Sequence, residues 1–216
     1  TIKINNNTYT SSRGIDVQAH YTVSSYLGTY SWASNWITPA TVEIKNNTFN
    51  KDTVGIKVTA GIYDISGNNF IESPGIKYEG GSGSNQQGLF SFKINNNYFI
   101  KQGSDGYGIY AIKNVKNSGD DLELKDNTFC SKDRVALRLS TDKAARMEAG
   151  DNYWNTTDKT AIQRNMVFDH LIDLDVKRTI SYGVHNQDRN PNLSSALESA
   201  CAAEAEGSEP EEAAAC

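Results

Sequence analysis

The chain has 216 residues, with 21 Lys and Arg against 26 Asp and Glu, for a formal net charge of -5. Phosphate affinity rests on clustered cations, so this balance argues against a polyanion-coating surface and nucleic acid is not an expected partner. No apolar run approaches the ~20 residues needed to span a bilayer. Thr1 to Asn7 lacks the charged and apolar regions of a signal peptide and reads as a cut or processed end.

One pattern recurs six times along the chain: apolar, polar, apolar, two variable residues, Asn, one variable residue, aromatic. The first three copies are Ile2-Lys3-Ile4 with Asn7 and Tyr9, Val42-Glu43-Ile44 with Asn47 and Phe49, and Tyr63-Asp64-Ile65 with Asn68 and Phe70. Phe92-Lys93-Ile94 with Asn97 and Phe99, and Leu122-Glu123-Leu124 with Asn127 and Phe129, follow. A degenerate Met147-Glu148-Ala149 with Asn152 and Trp154 closes the series. Successive asparagines are 40, 21, 29, 30 and 25 residues apart, which fits one solenoid coil per step with insertions of varying size.

A second short strand follows most copies: Gly14-Ile15-Asp16-Val17, Gly55-Ile56-Lys57-Val58, Gly75-Ile76-Lys77-Tyr78, Gly108-Ile109-Tyr110-Ala111 and Ala136-Leu137-Arg138-Leu139. Their period of two sets one side of every strand toward a core and the other toward water. The leading glycine suits a corner where the backbone bends or takes positive φ. In stacked coils, Asn7, Asn47, Asn68, Asn97, Asn127 and Asn152 would lie above one another. Each amide would then bond its copies above and below, forming an asparagine ladder.

This pattern resembles the right-handed parallel β-helix proteins, the group that includes pectate lyases, polygalacturonases, phage tailspikes and many surface proteins. The resemblance covers about Thr1 to Val184. Its most telling stretch, Gly150-Asp151-Asn152-Tyr153-Trp154-Asn155-Thr156-Thr157, is similar to the Asn-Tyr-Trp-Gly-Thr segment that ends such helices, with Asn155 in place of the glycine. The expected fold is therefore an all-β, right-handed parallel β-helix of about six coils over residues 1–186. A leucine-rich repeat horseshoe also shares the Leu-x-Leu-x-x-Asn-x-Leu spacing, but it needs a helical return where this chain has Gly-Ile-x-Val. Thr157 or Asp158 is expected to cap a short helix over about 158–168, with Ala161, Ile162, Met166 and Val167 on one face, closing the stack. Ile172 to Tyr182 would return as a last strand. The first coil has no cap of its own, so further coils of the same chain or another subunit are expected at the N-terminal end.

The insertion 19–39 holds Tyr21, Tyr26, Tyr30, Trp32 and Trp36 among serines and threonines. Such rings offer flat apolar faces to sugars, so these five residues are the candidate contacts for a glycan or polysaccharide, although they would equally pack onto the coils. Insertion 79–88 is Gly/Ser-rich and reads as a mobile loop. Residues 187–216 form an acidic Ala/Glu-rich tail, expected to be disordered or only nascently helical. Three cysteines, Cys130, Cys201 and Cys216, are too few for a disulfide framework, although Cys201 and Cys216 could close a loop in the tail. Sequons at Asn6, Asn46, Asn155 and Asn192 would accept glycans in a eukaryotic secretory pathway, but an Asn-rich chain also yields such triplets by chance.

Outward strand positions form two columns. The first holds Lys3, Glu43, Asp64, Lys93, Glu123 and Glu148; the second holds Asp16, Lys57, Lys77, Tyr110 and Arg138. Asp120, Asp121, Glu123 and Glu148 are the only sensible carboxylates for a glycosidase, and Lys77 and Arg138 the bases for a lyase acting beside a cation-neutralised uronate. Neither set is specific, because any solenoid needs charges on its solvated faces. His20, His170 and His185 lack metal-ligand spacing, and neither a metal nor a cofactor is expected. The sequence therefore leads to an extracellular or cell-surface scaffold or glycan-binding module without catalytic residues, with a polysaccharide lyase or glycoside hydrolase as the alternative.

Overall fold

The computed structural model describes residues 1–11, 14–17, 41–53, 55–58, 62–78, 91–101, 107–111, 121–131, 134–139, 147–169, 171–176, 179–187 and 190–206. The chain is an all-β parallel β-helix built from three sheets. Sheet A holds β1 (Ile2–Asn5), β4 (Thr41–Lys45), β7 (Ile62–Ser66), β10 (Ser91–Asn95), β13 (Asp121–Lys125), β16 (Met147–Asn152) and β18 (Ile180–Val184), in that order. Sheet B holds β2 (Thr8–Thr10), β5 (Thr48–Asn50), β8 (Asn69–Ile71), β11 (Tyr98–Lys101) and β14 (Thr128–Phe129). Sheet C holds β3 (Ile15–Val17), β6 (Ile56–Val58), β9 (Ile76–Tyr78), β12 (Tyr107–Ala111), β15 (Val135–Leu139) and β17 (Val167–Phe168). In the first five repeats the aromatic thus lies on a strand of its own, separated from the preceding strand by a tight corner, so a full coil has three strands.

Pairing within each sheet is parallel and in register, so equivalent residues of successive coils are neighbours. Ile4, Ile44, Ile65, Ile94, Leu124 and Ala149 form one core column. A second column is aromatic. Tyr9, Phe49, Phe70, Phe99 and Phe129 stack with ring centroids 4.9 to 5.0 Å apart, and Trp154 follows at 5.0 Å with its ring tilted. Strand separation sets this distance, and face-on stacking of identical side chains follows from the register.

The asparagines occupy the corner from sheet A to sheet B, which is two residues long in the first five coils. The residue before the ladder asparagine has positive φ: Asn6 (60°), Asn46 (56°), Gly67 (69°), Asn96 (54°) and Asp126 (56°). Gly, Asn and Asp tolerate the left-handed region best, which accounts for the composition of this position. The next residue turns its amide inward. Asn97 is buried, and its Oδ1 accepts from the Asn68 backbone N–H at 3.1 Å and from Asn68 Nδ2 at 2.9 Å. Its own Nδ2 donates to Ile65 O at 2.9 Å and to Asn127 Oδ1 at 3.1 Å. The same Nδ2-to-Oδ1 bond runs Asn7 to Asn47, Asn47 to Asn68 and Asn127 to Asn152, always from one coil to the next.

The glycines that open sheet C strands have a reason other than the one expected. Among Gly14, Gly55, Gly75 and Gly108, only Gly14 has positive φ. A Cβ on Gly75 would collide with Gly108 O and lie 2.7 Å from Phe99 Cε1; one on Gly108 would lie 2.6 Å from both Ala136 O and Phe129 Cε1. These glycines let the stacked rings press against the backbone of sheet C.

The C-terminal end departs from expectation in extent. Asp158 caps the helix, with Oδ1 accepting from Thr160 N and Ala161 N, but α1 (Lys159–Ala161) passes into a π turn, Ile162–Met166. Val167 and Phe168, expected in the helix, instead pair with β15. Ile162, Met166 and Val167 still face the core. The tail also departs from expectation. Helix α2 (Ser195–Glu206) docks on the outside of sheet B, where Leu197 and Ala200 pack against a small cluster of Ile100, Cys130 and Cys201 with Ile71 and Tyr98. Cys201 is disulfide-bonded to Cys130, not to Cys216. Asn190, buried, donates from Nδ2 to Thr128 Oγ1 at 3.0 Å and fastens the same strap.

Replacing Asn97 with Ala removes the acceptor of the buried Asn68 backbone N–H, one of the bonds of Asn68 Nδ2 and the side-chain donor to Ile65 O, and the expected loss is about 3 to 5 kcal/mol in denaturant unfolding. Removing the disulfide with Cys130→Ser and Cys201→Ser together opens a loop spanning 71 residues in sequence. The chain-entropy relation gives a loss of about 4 kcal/mol, measurable by the same titration with and without reductant.

Candidate functional site

The connections between strands differ by corner. From sheet A to sheet B the chain takes two residues in each of the first five coils, and from sheet B to sheet C it takes four or five. Apart from 153–166, which carries the capping helix between sheets A and C, the long intervals between strands, 18–40, 79–90, 112–120, 140–146 and 169–179, join a sheet C strand to the next sheet A strand. Variation in length is therefore confined to one edge of the rod, and loops on a rigid scaffold are where binding groups concentrate. Tyr21, Tyr26, Tyr30, Trp32 and Trp36 belong to the first of these intervals and lie outside the described residues, as does insertion 79–88.

Sheet C borders that edge, and its outward column is in register: Asp16 beside Lys57, Lys57 beside Lys77, Lys77 beside Tyr110, Tyr110 beside Arg138, Arg138 beside Phe168. The half-buried Arg138 guanidinium lies 5.0 Å from the Tyr110 ring centroid and 4.9 Å from that of Phe168. Tyr107 adds a third ring, tilted 60° against Tyr110 at 5.0 Å. Stacking between two rings orients the guanidinium plane and limits its rotamers, so its N–H groups are presented in a set direction. Tyr110 and Arg138 are legible from the strand pattern. Tyr107 and Phe168 are not, because the one precedes the repeat match and the other reads as helix.

The sheet A column differs in character. Lys3 pairs with Glu43 at 3.8 Å, and Lys45, one pleat along on the same outer face, pairs with Asp64 at 2.6 Å. The hydrogen bond that Lys45 donates to Asp64 holds its ammonium above its ordinary pKa, opposed by burial and assisted by the charges of Asp64 and Glu43. Backbone register sets Glu123 beside Lys93. The Lys3–Glu43 and Lys45–Asp64 pairs each link two neighbouring coils. Of the candidate carboxylates, Asp120 lies outside the described residues.

A third group lies at the corner between sheets A and B, across the rod from sheet C. His185 Nε2 is 3.0 Å from Asp126 Oδ1, and its ring stacks on Tyr153 at 3.9 Å. His185 N also donates to Asn152 O. The pair ties the end of the last strand to the preceding coils. Nothing in the residue spacing pointed to it, since His185 and Asp126 are 59 apart.

The four sequons are not equivalent. Asn6 and Asn46 are exposed corner residues, and Asn192 is exposed. Asn155 is buried and its Nδ2 donates to Cys130 O at 2.9 Å, so the nitrogen that would carry a glycan is committed to the interior, and this candidate is withdrawn. Among the described residues no group of three His, Cys, Asp or Glu side chains could hold a metal ion, and no helix is long and apolar enough to cross a membrane. Comparison of the chain with protein families, curated proteins and solved structures gives no match.

Proposed function

We propose that this chain is a noncatalytic extracellular or cell-surface β-helix that binds an extended glycan along sheet C. The observation that carries this reading is the register of Lys57, Lys77, Tyr110, Arg138 and Phe168 on one outward column. Coils advance by about 4.8 Å, a step of the same order as one sugar in an extended polymer, so successive coils would meet successive sugars. Rings bind the apolar faces of sugars, and cations favour a chain bearing carboxylates or sulfates. The insertion containing Tyr21, Tyr26, Tyr30, Trp32 and Trp36 leaves the rod at the edge bordering this column and would add further contacts.

An oxidising compartment is supported by the Cys130–Cys201 disulfide, since such bonds persist outside the cytosol. Exposed sequons at Asn6, Asn46 and Asn192 are compatible with that location. Kinship with the pectate-lyase-like right-handed β-helices is supported by the ladder, the aromatic stack and the capping turn. A lyase would draw on the same column, with Lys77 or Arg138 next to a uronate. The mutual pairing of Lys3 with Glu43 and Lys45 with Asp64 favours the noncatalytic reading, because these charges already serve cohesion between coils.

Titration calorimetry against uronate-containing and neutral polysaccharides tests the proposal. Binding is expected for the acidic polymers, weakening as salt is added, and Arg138→Ala or Tyr110→Ala should each reduce affinity about tenfold or more. Binding that ignores both substitutions would remove sheet C from the account, and appearance of unsaturated products would replace a binder with a lyase.

A further inference from the structure

Helix α2 lies outside the three-sheet coil, and its hold on the rod is narrow. Of its described side chains only Cys201 is buried; Leu197 and Ala200 are half-buried, and Ser195, Ala196, Glu198 and Ser199 face water. A helix of 12 residues is marginal in water unless one face is packed. The cluster beneath it is small and separate from the interior, with Ile100, Cys130 and Cys201 as its buried members and Ile71 and Tyr98 at its margin. Two of those three buried residues are the bonded cysteines, so the main attachment of the helix is the disulfide itself.

The remaining fastenings lie at or before the first turn. Asn190 Nδ2 donates to Thr128 Oγ1 ahead of the helix, and Ser194 caps it, with Oγ accepting from Leu197 N and O from Glu198 N. The strands under α2 do not depend on it. β8, β11 and β14 bond to one another in parallel register, so the sheet keeps its backbone partners when the helix leaves.

We infer that the Cys130–Cys201 bond operates a redox-sensitive strap. Oxidised, it holds α2 shut over the outside of sheet B. Reduced, α2 lifts and uncoils, and Ile71, Tyr98 and Ile100 are presented to solvent as an apolar strip while the coils stay folded. The step is thiol–disulfide exchange with a small external thiol. Cys130 is fixed in the rod and fully buried, whereas Cys201 moves with the helix, so attack falls on Cys201. The external thiolate bonds to Cys201 Sγ, and the Cys130 sulfur leaves as a thiolate and takes up a proton. A second external thiol then displaces Cys201, which is protonated in turn, and the two external thiols end joined as a disulfide. The strap is therefore open in a reducing compartment and shut in an oxidising one.

Hydrogen exchange of the full chain, followed by mass spectrometry with and without a trialkylphosphine, tests this. After reduction, α2 is expected to exchange about a hundredfold faster or more, while 91–101 and 121–131 keep their protection. An apolar-surface dye should gain fluorescence at the same time. Cys130→Ser combined with Cys201→Ser should match the reduced wild type without phosphine. Leu197→Ala in the oxidised chain should leave α2 protected, because the bond and not that side chain holds it. Unchanged exchange of α2 on reduction overturns the inference, as does a helix that already exchanges freely when oxidised or that Leu197→Ala releases. Loss of protection in the coils together with the helix overturns it as well, since the bond would then hold the rod rather than a strap.

Discussion

The amide ladder is the constraint on which the remaining structure depends. A corner that reverses the chain in two residues leaves backbone donors and acceptors pointing into a space where water does not reach, and such groups must be bonded. An inward asparagine supplies two donors and an acceptor from a side chain short enough to stay inside the corner. Because each acceptor takes both the backbone N–H and the side-chain amide of the coil before it, as Asn97 does for Asn68, a shift of one residue would break several bonds at once. Register is thus set at the corner and transmitted to all three sheets. The aromatic stack, the aliphatic column and the outward charges inherit it.

From that register follows a division of labour around the rod. The A-to-B corner cannot change length without losing the ladder, and the B-to-C corner is held by the packing of glycine backbone against the stacked rings. Only the C-to-A corner is free to accept inserted chain, and there the insertions accumulate. Sheet C, lying beside that corner, carries Lys57, Lys77, Tyr110 and Arg138 outward, and sheet A carries the Lys3–Glu43 and Lys45–Asp64 pairs.

Much of the architecture was legible in the sequence because a period of one coil repeats the same physical demands. Asn47, Asn68, Asn97, Asn127 and Asn152 stand in the same place relative to two apolar residues and an aromatic, and only a stack explains that. The third strand was hidden by its shortness: two or three residues around Phe49 or Phe129 show no alternation to detect. The role of Gly75 and Gly108 was misread because proximity between coils is not visible along one coil. Docking of α2 left a signal that a coil-by-coil comparison would have found. The residue after the stacked aromatic is Thr10 or Asn50 in the first two coils but Ile71, Ile100 and Cys130 in the next three, so the outside of sheet B turns apolar where the helix lies. The His185–Asp126 pair left none, since it joins residues from different coils with no shared spacing, and of the sandwich around Arg138 the strand pattern showed Tyr110 and Arg138 but not Phe168.

The unidirectional run of amide bonds also bears on how such a chain is able to change over evolutionary time. Every interior coil presents acceptors toward its predecessor and donors toward its successor, so any coil is an interchangeable link as far as the corner is concerned. Duplication or deletion of one unit within the stack would conserve all bonds of this kind, whereas inverting a unit would set like groups against each other. Lengthening in whole turns is therefore the permitted route of growth, while the capping turn at 158–166 remains the part that cannot be copied.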